Sequence, residues 1–284
     1  MGLTAVQELG VELSAVTVEI GDSDLPPSPG AGGSCSAASV CNAVAKACHD
    51  IRSRIITAAV EDAGSPFSRA GPSTLALADG ALCGPGDTRE ALDEAIQRAA
   101  IGAIEAYAET APYGAPPDAI RRLHSGRPVY VGGPLPDRIQ WAFGANFAEV
   151  CIHALTSEIR VSRLVGAYAA GRIINPLTAK SQLMGGQIWG MSAALHEATD
   201  IDARTARYTD ADLAGYLIPV NADVTEVESI FVPEDDSLVN ELGVKGLGEL
   251  GNVGTNAAVA NAVYHATGVR VRDLPIRLED LFHA

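Results

Sequence analysis

One carboxylate, Glu249, stands among four glycines in the segment Lys245-Gly246-Leu247-Gly248-Glu249-Leu250-Gly251-Asn252-Val253-Gly254-Thr255, and a helical pattern from Asn256 to Thr267 follows at once. Glycines let a backbone press close to a bound group and adopt positive φ, so this loop could hold a ligand while Glu249 points at it. The same residues also read as a glycine-rich turn at the head of a helix, with Glu249 solvated where the helix dipole favours an anion. Spacing alone favours the second reading, because Gly-x-Gly strings carry little specificity.

A second segment near the N-terminus has the same character. Ser39-Val40-Cys41-Asn42-Ala43-Val44-Ala45-Lys46-Ala47 follows Gly32-Gly33-Ser34-Cys35-Ser36, while the helix after the Glu249 loop reads Ala258-Val259-Ala260-Asn261-Ala262-Val263-Tyr264-His265-Ala266. Both carry Val-x-Asn-Ala-Val-x-x-Ala, and superposition sets Ser36 opposite Thr255 as the N-cap. The pairing predicts two related loop-to-helix units, each with unpaired backbone N–H groups at a helix start, which hold phosphate without basic side chains. Chance likeness between two Ala-rich helices is the alternative.

Composition agrees with an anion site of that kind. With 35 acidic and 20 basic residues the net charge is −15, which argues against a nucleic-acid or anionic-membrane partner. A phosphorylated ligand would have to be held by amides, hydroxyls and helix ends. At 284 residues and 47% hydrophobic, the chain can bury a large core in one big or two ordinary domains. No apolar run approaches the roughly 20 residues of a membrane span, and Met1 is followed by neither a basic nor an apolar leader. The expectation is a cytoplasmic protein.

Five cysteines, at 35, 41, 48, 83 and 151, include no Cys-x-x-Cys and do not indicate disulfides. Cys35, Cys41, Cys48 and His49 could be read as a zinc site, but their spacing departs from the structural-zinc patterns. The interval between Cys41 and Cys48 also suits two small residues on the buried side of a helix. No His-x-x-x-His or His-Glu-x-x-His frame occurs among the six histidines, so no protein metal ligand is assigned.

The elements that must position these residues are mixed. Thr4 to Leu13 reads as a helix, Ala15 to Ile20 as a strand, Asp22 to Gly33 as a loop, and Ser36 to about Glu61 as a long helix. Leu75 to Leu82 alternates around Asp79-Gly80, a hairpin signal. Arg89 to Tyr107 has helical periodicity, with Ile101 to Tyr107 equally readable as a strand. The Pro/Gly-rich stretch from Pro112 to Pro136 connects two halves, about 1–135 and 136–284. Beyond it come strands from Ala142 to Ile152 and Glu158 to Val165, a helix from about Lys180 to Glu197, a polar strand-and-loop region, and an acidic loop from Pro233 to Asn240. The fold class is α+β, in two pseudo-related α/β halves.

Three ordered motifs then carry a resemblance. Gly33-Ser34-Cys35-Ser36-Ala37-Ala38-Ser39-Val40, Asn175-Pro176 followed by Gln182-Leu183-Met184-Gly185-Gly186, and Val244-Lys245-Gly246-Leu247-Gly248-Glu249 together resemble the xanthine dehydrogenase/aldehyde oxidase family of molybdenum hydroxylases. The likeness runs from about Thr4 to Leu281 and is to the C-terminal part of the molybdopterin-binding large subunit. It implies that Glu249 is the catalytic general base, taking a proton from a hydroxyl on molybdenum during hydroxylation of an aldehyde or N-heterocycle with water-derived oxygen. It implies that Gln182 hydrogen-bonds the pterin or the molybdenum ligands through its amide.

By the same resemblance Ser36, Ala37, Ala38, Ser39, Val40 and Cys41 belong to the segment that grips the pterin phosphate. Cys41 departs from the hydroxyl residue often found there, which leaves its backbone as the contact. Gly248, Thr255 and Asn256 belong to the second loop, where Gly251 to Asn256 would receive the phosphates of a molybdopterin cytosine dinucleotide carrying molybdenum. The 2Fe-2S and FAD centres are expected on partner subunits, since no cluster motif or dinucleotide fingerprint occurs. The N-terminal half of the molybdenum subunit is a further expected partner. The chain reads as a split-gene product, a truncated gene or a fragment, to be completed by that half. Alternatives are a catalytically inactive cofactor-binding remnant and a nucleotide-binding module.

Overall fold

The computed structural model describes the chain apart from residues 101, 130–134, 136, 138, 139, 283 and 284. It resolves into two compact units, Met1–Gln140 with Ser237–Val244, and Trp141–Asp236 with Lys245–Ala284.

In the first unit, helix α1 (Gly2–Leu9) ends at Gly10 in the left-handed region, and a single 3-10 turn, Leu13–Ala15, follows. Residues 16–20 then form no regular element, which corrects the expected strand. Its two clearest strand markers, Val18 and Ile20, are exposed, so their alternation meets no packing surface. Helix α2 (Ser36–Glu61) is the spine of this unit. Ile55 and Ala59 from its C-terminal half pack with Phe67, Leu75, Leu77, Leu82 and Ala95 in one apolar core. The strands β1 (Ala76–Ala78), β2 (Ala81–Cys83) and β3 (Arg89–Ala91) form an antiparallel sheet in that order. Asp79 and Gly80 both take positive φ between β1 and β2, so the expected hairpin is present.

The helix expected from Arg89 begins later, as α3 (Leu92–Ala99), because Arg89 to Ala91 are drawn into β3 against β2. Ile101 lies outside the described residues; 103–110 take no regular structure, and the connecting stretch contributes α4 (Ala119–His124). Of that stretch, 130–134 and 136 lie outside the described residues.

The second unit is built on a three-stranded sheet, β4 (Phe143–Ile152), β5 (Ile159–Ala169) and β8 (Val227–Phe231), after the small hairpin β6 (Ile201–Asp202) and β7 (Arg207–Tyr208). The β4–β5 pairing is antiparallel and the β5–β8 pairing parallel. β5 runs four residues past the expected end at Val165, through Gly166. That glycine has a steric reason: a Cβ there would lie 2.0 Å from the Tyr168 hydroxyl.

Three helices cover one face of the sheet: α5 (Pro176–Leu195), α6 (Leu250–Val253) and α7 (Thr255–Thr267). Val161 and Leu164 of β5 pack there with Met191, Ala194 and Val259. Each fully buried aliphatic side chain of this kind contributes roughly 1.5–3 kcal/mol.

α5 starts at Pro176, a turn before the expected Lys180, because Asn175 caps it, its side-chain oxygen accepting from the amides of Leu177 and Thr178. Proline at the first helical position lacks only an amide that would go unpaired there.

The first unit holds one buried acid whose titration affects stability. Glu90 is paired through Oε1 with Arg98 at 2.7 Å, while its Oε2 has no hydrogen-bond partner. Burial pushes its carboxyl above the ordinary carboxylate range, against the opposing pull of Arg98. A raised folded-state pKa gives a contribution that is full below the unfolded pKa of about 4.3 and is lost as pH rises through the folded value. Glu90→Gln therefore shows a smaller drop in urea midpoint between pH 4 and pH 7 than the wild type.

Candidate functional site

The Glu249 loop departs from an anchored cation. The Lys245 ammonium lies 2.7 Å from Glu234 Oε1 and 2.8 Å from Asp236 Oδ2, with only 3% of its side chain exposed. Burial alone would lower its pKa, but the hydrogen bonds and charges of Asp236 and Glu234 outweigh this and the net shift is upward. Glu234 also accepts from the Gly171 amide through Oε2 at 2.7 Å, and the Lys245 amide donates to the Ala170 carbonyl. The start of the loop is thus tied to the end of β5 by charge and backbone together.

From there the chain turns into α6, with Glu249 as its N-cap residue. No side-chain hydrogen bond caps this helix, and Glu249 is exposed. An exposed carboxylate at a helix start is also what the reading of a glycine-rich turn with a solvated Glu249 expects. The glycines act through closeness: neither Gly251 nor Gly254 takes positive φ. A Cβ at Gly251 would come within 2.3 Å of the Leu183 carbonyl oxygen, one at Gly254 within 2.7 Å of Asn146 Nδ2, and one at Gly186 within 2.9 Å of the Asn252 amide. The α5 and α6 backbones therefore touch. Gln182 immediately precedes Leu183, and Glu249 lies two residues before Gly251, so each candidate is a short step along the chain from this contact. Gln182 is exposed on α5, its amide available to a ligand; Gly248 is half-buried in the turn before Glu249.

Thr255 and Asn256 behave differently from expectation. Thr255 is the first residue of α7 and not its N-cap, which is Gly254. It is fully buried, its hydroxyl 2.7 Å from the Gly251 carbonyl and 3.2 Å from Asn146 Oδ1. Asn146 also accepts from Tyr168, whose own hydroxyl burial pushes up to about 12. This buried network joins α7 to the sheet and leaves the Thr255 side chain nothing for a ligand. Asn256 Oδ1 accepts from the Ala257 amide. Because α6 is separated from α7 by Gly254 alone, the start of α7 is covered by the preceding turn.

The other expected phosphate segment lies in the first unit. Cys35, not Ser36, is the N-cap of α2, and no side chain caps the helix. The Ser39 amide already donates to the Cys35 carbonyl, and Val40 and Cys41 lie within the helical ladder. Ser36, Ala37 and Ala38 are the residues whose amides precede that ladder. No atom lies within 4 Å of the Cβ position at Gly33, so the loop leaves room for a group to approach. Neutral amides at a helix start suit phosphate in a chain this acidic, and the residues present fit the phosphate of a nucleotide-type cofactor. Cys41 is buried, as is Cys48, on the packed side of α2. All five cysteines are free, and among the described residues no cluster of three or more His, Cys, Asp or Glu could hold a metal ion. Nor is any helix of the described residues long and apolar enough to cross a membrane.

The two similar helices bury different stripes. α7 buries Thr255, Val259 and Val263, whereas α2 buries Cys41, Asn42, Ala45 and Cys48, one position further on in the shared pattern. Asn42 is buried and accepts from the Leu242 amide, while its counterpart Asn261 is exposed and accepts from Arg270.

Comparison with known proteins agrees with the three motifs. The family model described as "Molybdopterin cofactor-binding domain" matches residues 1–225. The chain belongs to the molybdopterin cofactor-binding domain family. A relative of this molybdopterin cofactor-binding domain is the aldehyde oxidoreductase molybdenum-binding subunit PaoC of Escherichia coli K12. It is 37% identical over 278 residues, 98% of this chain and 34% of PaoC. The xanthine dehydrogenase molybdenum-binding subunit of Escherichia coli O157:H7 is 34% identical over 145 residues, 50% of this chain and 19% of that protein. Among solved structures, quinoline 2-oxidoreductase from Pseudomonas putida 86 matches with a TM-score of 0.77 at 23% identity, over 99% of this chain and 34% of that one. The chain thus spans about a third of the length of PaoC and of quinoline 2-oxidoreductase. The resemblance read from the motifs is borne out, as is the α+β fold. The family model ends before Glu249, and the PaoC match is broad enough to take in that loop.

Sequence reasoning quoted Lys245 as a loop residue and missed its ion triad. The signal was present in the acidic pair Glu234 and Asp236 a few residues upstream, whose partner only the fold identifies.

Two substitutions test this scaffold. Lys245→Ala leaves two carboxylates facing each other without their cation; given their partial exposure it costs about 2–3 kcal/mol of stability in urea unfolding. It also raises amide exchange at 246–254. Gly251→Ala forces α5 and α6 apart and costs about 1–3 kcal/mol in the same measurement.

Proposed function

We propose that this domain serves a molybdenum hydroxylase that oxidises an aldehyde or an N-heterocycle with oxygen derived from water, and that Glu249 is its general base. The observation that supports this reading is the exposed position of Glu249 at the start of α6, two residues before the glycine at which the α5 and α6 backbones meet. The molybdenum cofactor, when bound, supplies the redox centre and the site at which water is activated. Glu249 takes up the proton at a side-chain oxygen, and the closely packed glycines limit how far that oxygen strays from its position. Positioning of this kind contributes as much as basicity does. Gln182 donates from its amide to the pterin. In the first unit, the amides of Ser36, Ala37 and Ala38 receive a phosphate; Ser39, Val40 and Cys41 support the turn through the helix they build. Thr255 and Asn256 act as supports for the Glu249 loop.

The cofactor form that suits such amide donors is molybdopterin cytosine dinucleotide, with electrons leaving through 2Fe-2S and FAD partner subunits. The portion of the relatives beyond the matched third, taken as their N-terminal part, completes the substrate cavity and selects the substrate. The second reading is a cofactor-binding domain without turnover.

Co-expression of this chain with the unmatched part of PaoC as a separate polypeptide, followed by molybdenum and released cytosine-nucleotide analysis, separates the two readings. Metal, nucleotide and aldehyde turnover are expected together. Metal without turnover leaves the second reading, and a complex with no metal removes the enzyme. Glu249→Gln is expected to lower turnover by at least about 100-fold at unchanged metal content; retained activity would remove the base assignment.

A further inference from the structure

The sheet of the second unit carries its three helices on one face. The sheet is mixed, β5 pairing antiparallel with β4 and in parallel with β8; all-parallel sheets are covered on both faces, while antiparallel ones can leave one face open. Here α5, α6 and α7 cover the face that carries Val161 and Leu164, whereas on the opposite face residues 143, 145 and 147 of β4 are exposed and 165, 167 and 169 of β5 are half-buried. That face is apolar around Phe143, Phe147 and Ile230 and is bordered by charge, where Glu149, Arg163 and Glu228 lie on it and Arg163 pairs with Glu228 at 2.9 Å. In β4 it carries Phe143 and Phe147, which are 53% and 64% exposed. In register beside them lie Ala169 and Val165 of β5, and Ala167 of β5 stands opposite Ile230 of β8, itself 43% exposed. β4 is also an edge strand of ten residues, so its outer backbone groups are open to a further strand. A soluble protein rarely leaves a contiguous patch of large apolar side chains uncovered, and such patches mark interaction sites.

We propose that this face is the docking surface for the polypeptide that makes up the remaining two thirds of the relatives' length, attached or separate. The choice of occupant rests on the proposed function and on the length relation: the match takes in 34% of PaoC, whose remaining length belongs to the same polypeptide as the matched third. The surface lies close to the functional loop as well, for the Lys245 ammonium sits 6.0 Å from the centre of the Phe143 ring. A segment covering Phe143 therefore reaches the root of the Glu249 loop and adds cover to the side on which that loop begins.

The test uses the full chain and, as a separate polypeptide, the part of Escherichia coli K12 PaoC outside the matched region. Complex formation is followed by size-exclusion chromatography with light scattering and by titration. A one-to-one complex is expected with the wild type, weakened at least 10-fold by Phe147→Asp and by Ile230→Asp, with circular dichroism unchanged. Leu155→Asp, in the exposed turn between β4 and β5, is expected to bind as the wild type does. Undiminished binding by both face variants overturns the proposal, as does the absence of a wild-type complex. A wild-type homodimer dispersed by Phe147→Asp overturns it too, since a second copy is then the occupant. The outcome is separable from the functional reading: a complex lost in Phe147→Asp but lacking molybdenum supports the surface and removes the enzyme. A metal-loaded, active complex indifferent to Phe147→Asp does the reverse.

Discussion

The carbonyl oxygen of Leu183 and the α-carbon of Gly251 lie so close that no side chain larger than hydrogen fits between α5 and α6. Much of the second unit follows from that single approach. It fixes the depth at which α6 sits, and hence where Glu249 leaves the backbone. The following residues then run directly into α7, whose buried Thr255, Asn146 and Tyr168 network locks the assembly onto β4 and β5. Only at the root of the loop does charge take over, where Lys245 is held by Glu234 and Asp236.

How legible this was depended on whether the cause was local. The hairpin at Asp79-Gly80, helix α2 and helix α7 came through because turn chemistry and periodicity act over a few residues. The strand expected at Ala15 to Ile20 failed because alternation has consequences only against a packing surface, and Val18 and Ile20 have none. β5 was cut short at Gly166, since a strand glycine reads as a break until the Tyr168 ring that lies across it is seen. Pro176 opened α5 earlier than expected, although Asn175-Pro176 was in plain view as a motif. It is a capping signal as much as a family signature.

For the candidate site, what the fold adds to the sequence is placement. Glu249 and Gln182 were proposed on ordered motifs, and the fold leaves both exposed. Thr255 was misjudged in detail: its type suits an N-cap, but a helical turn precedes it and its hydroxyl points inward. The phosphate segment narrowed for a similar reason, because a helix has unpaired amides only in its first turn and Ser39 is already bonded. The buried stripes of α2 and α7 differ by one position, which shows that a shared string of small residues does not impose a shared packing direction.

The two units are not two lengths of chain. Residues Ser237–Val244 belong with the first, although they follow the whole sheet of the second. Within that return segment the Leu242 amide donates to the buried oxygen of Asn42, and Asn240 closes a turn on Val244. A cut between 140 and 141 would therefore leave α2 with an unanswered buried acceptor. The first unit becomes complete only when synthesis has passed Val244, immediately before the residues that lead to Glu249. Folding of the early part of the chain is thereby coupled in time to emergence of the loop that carries the candidate base.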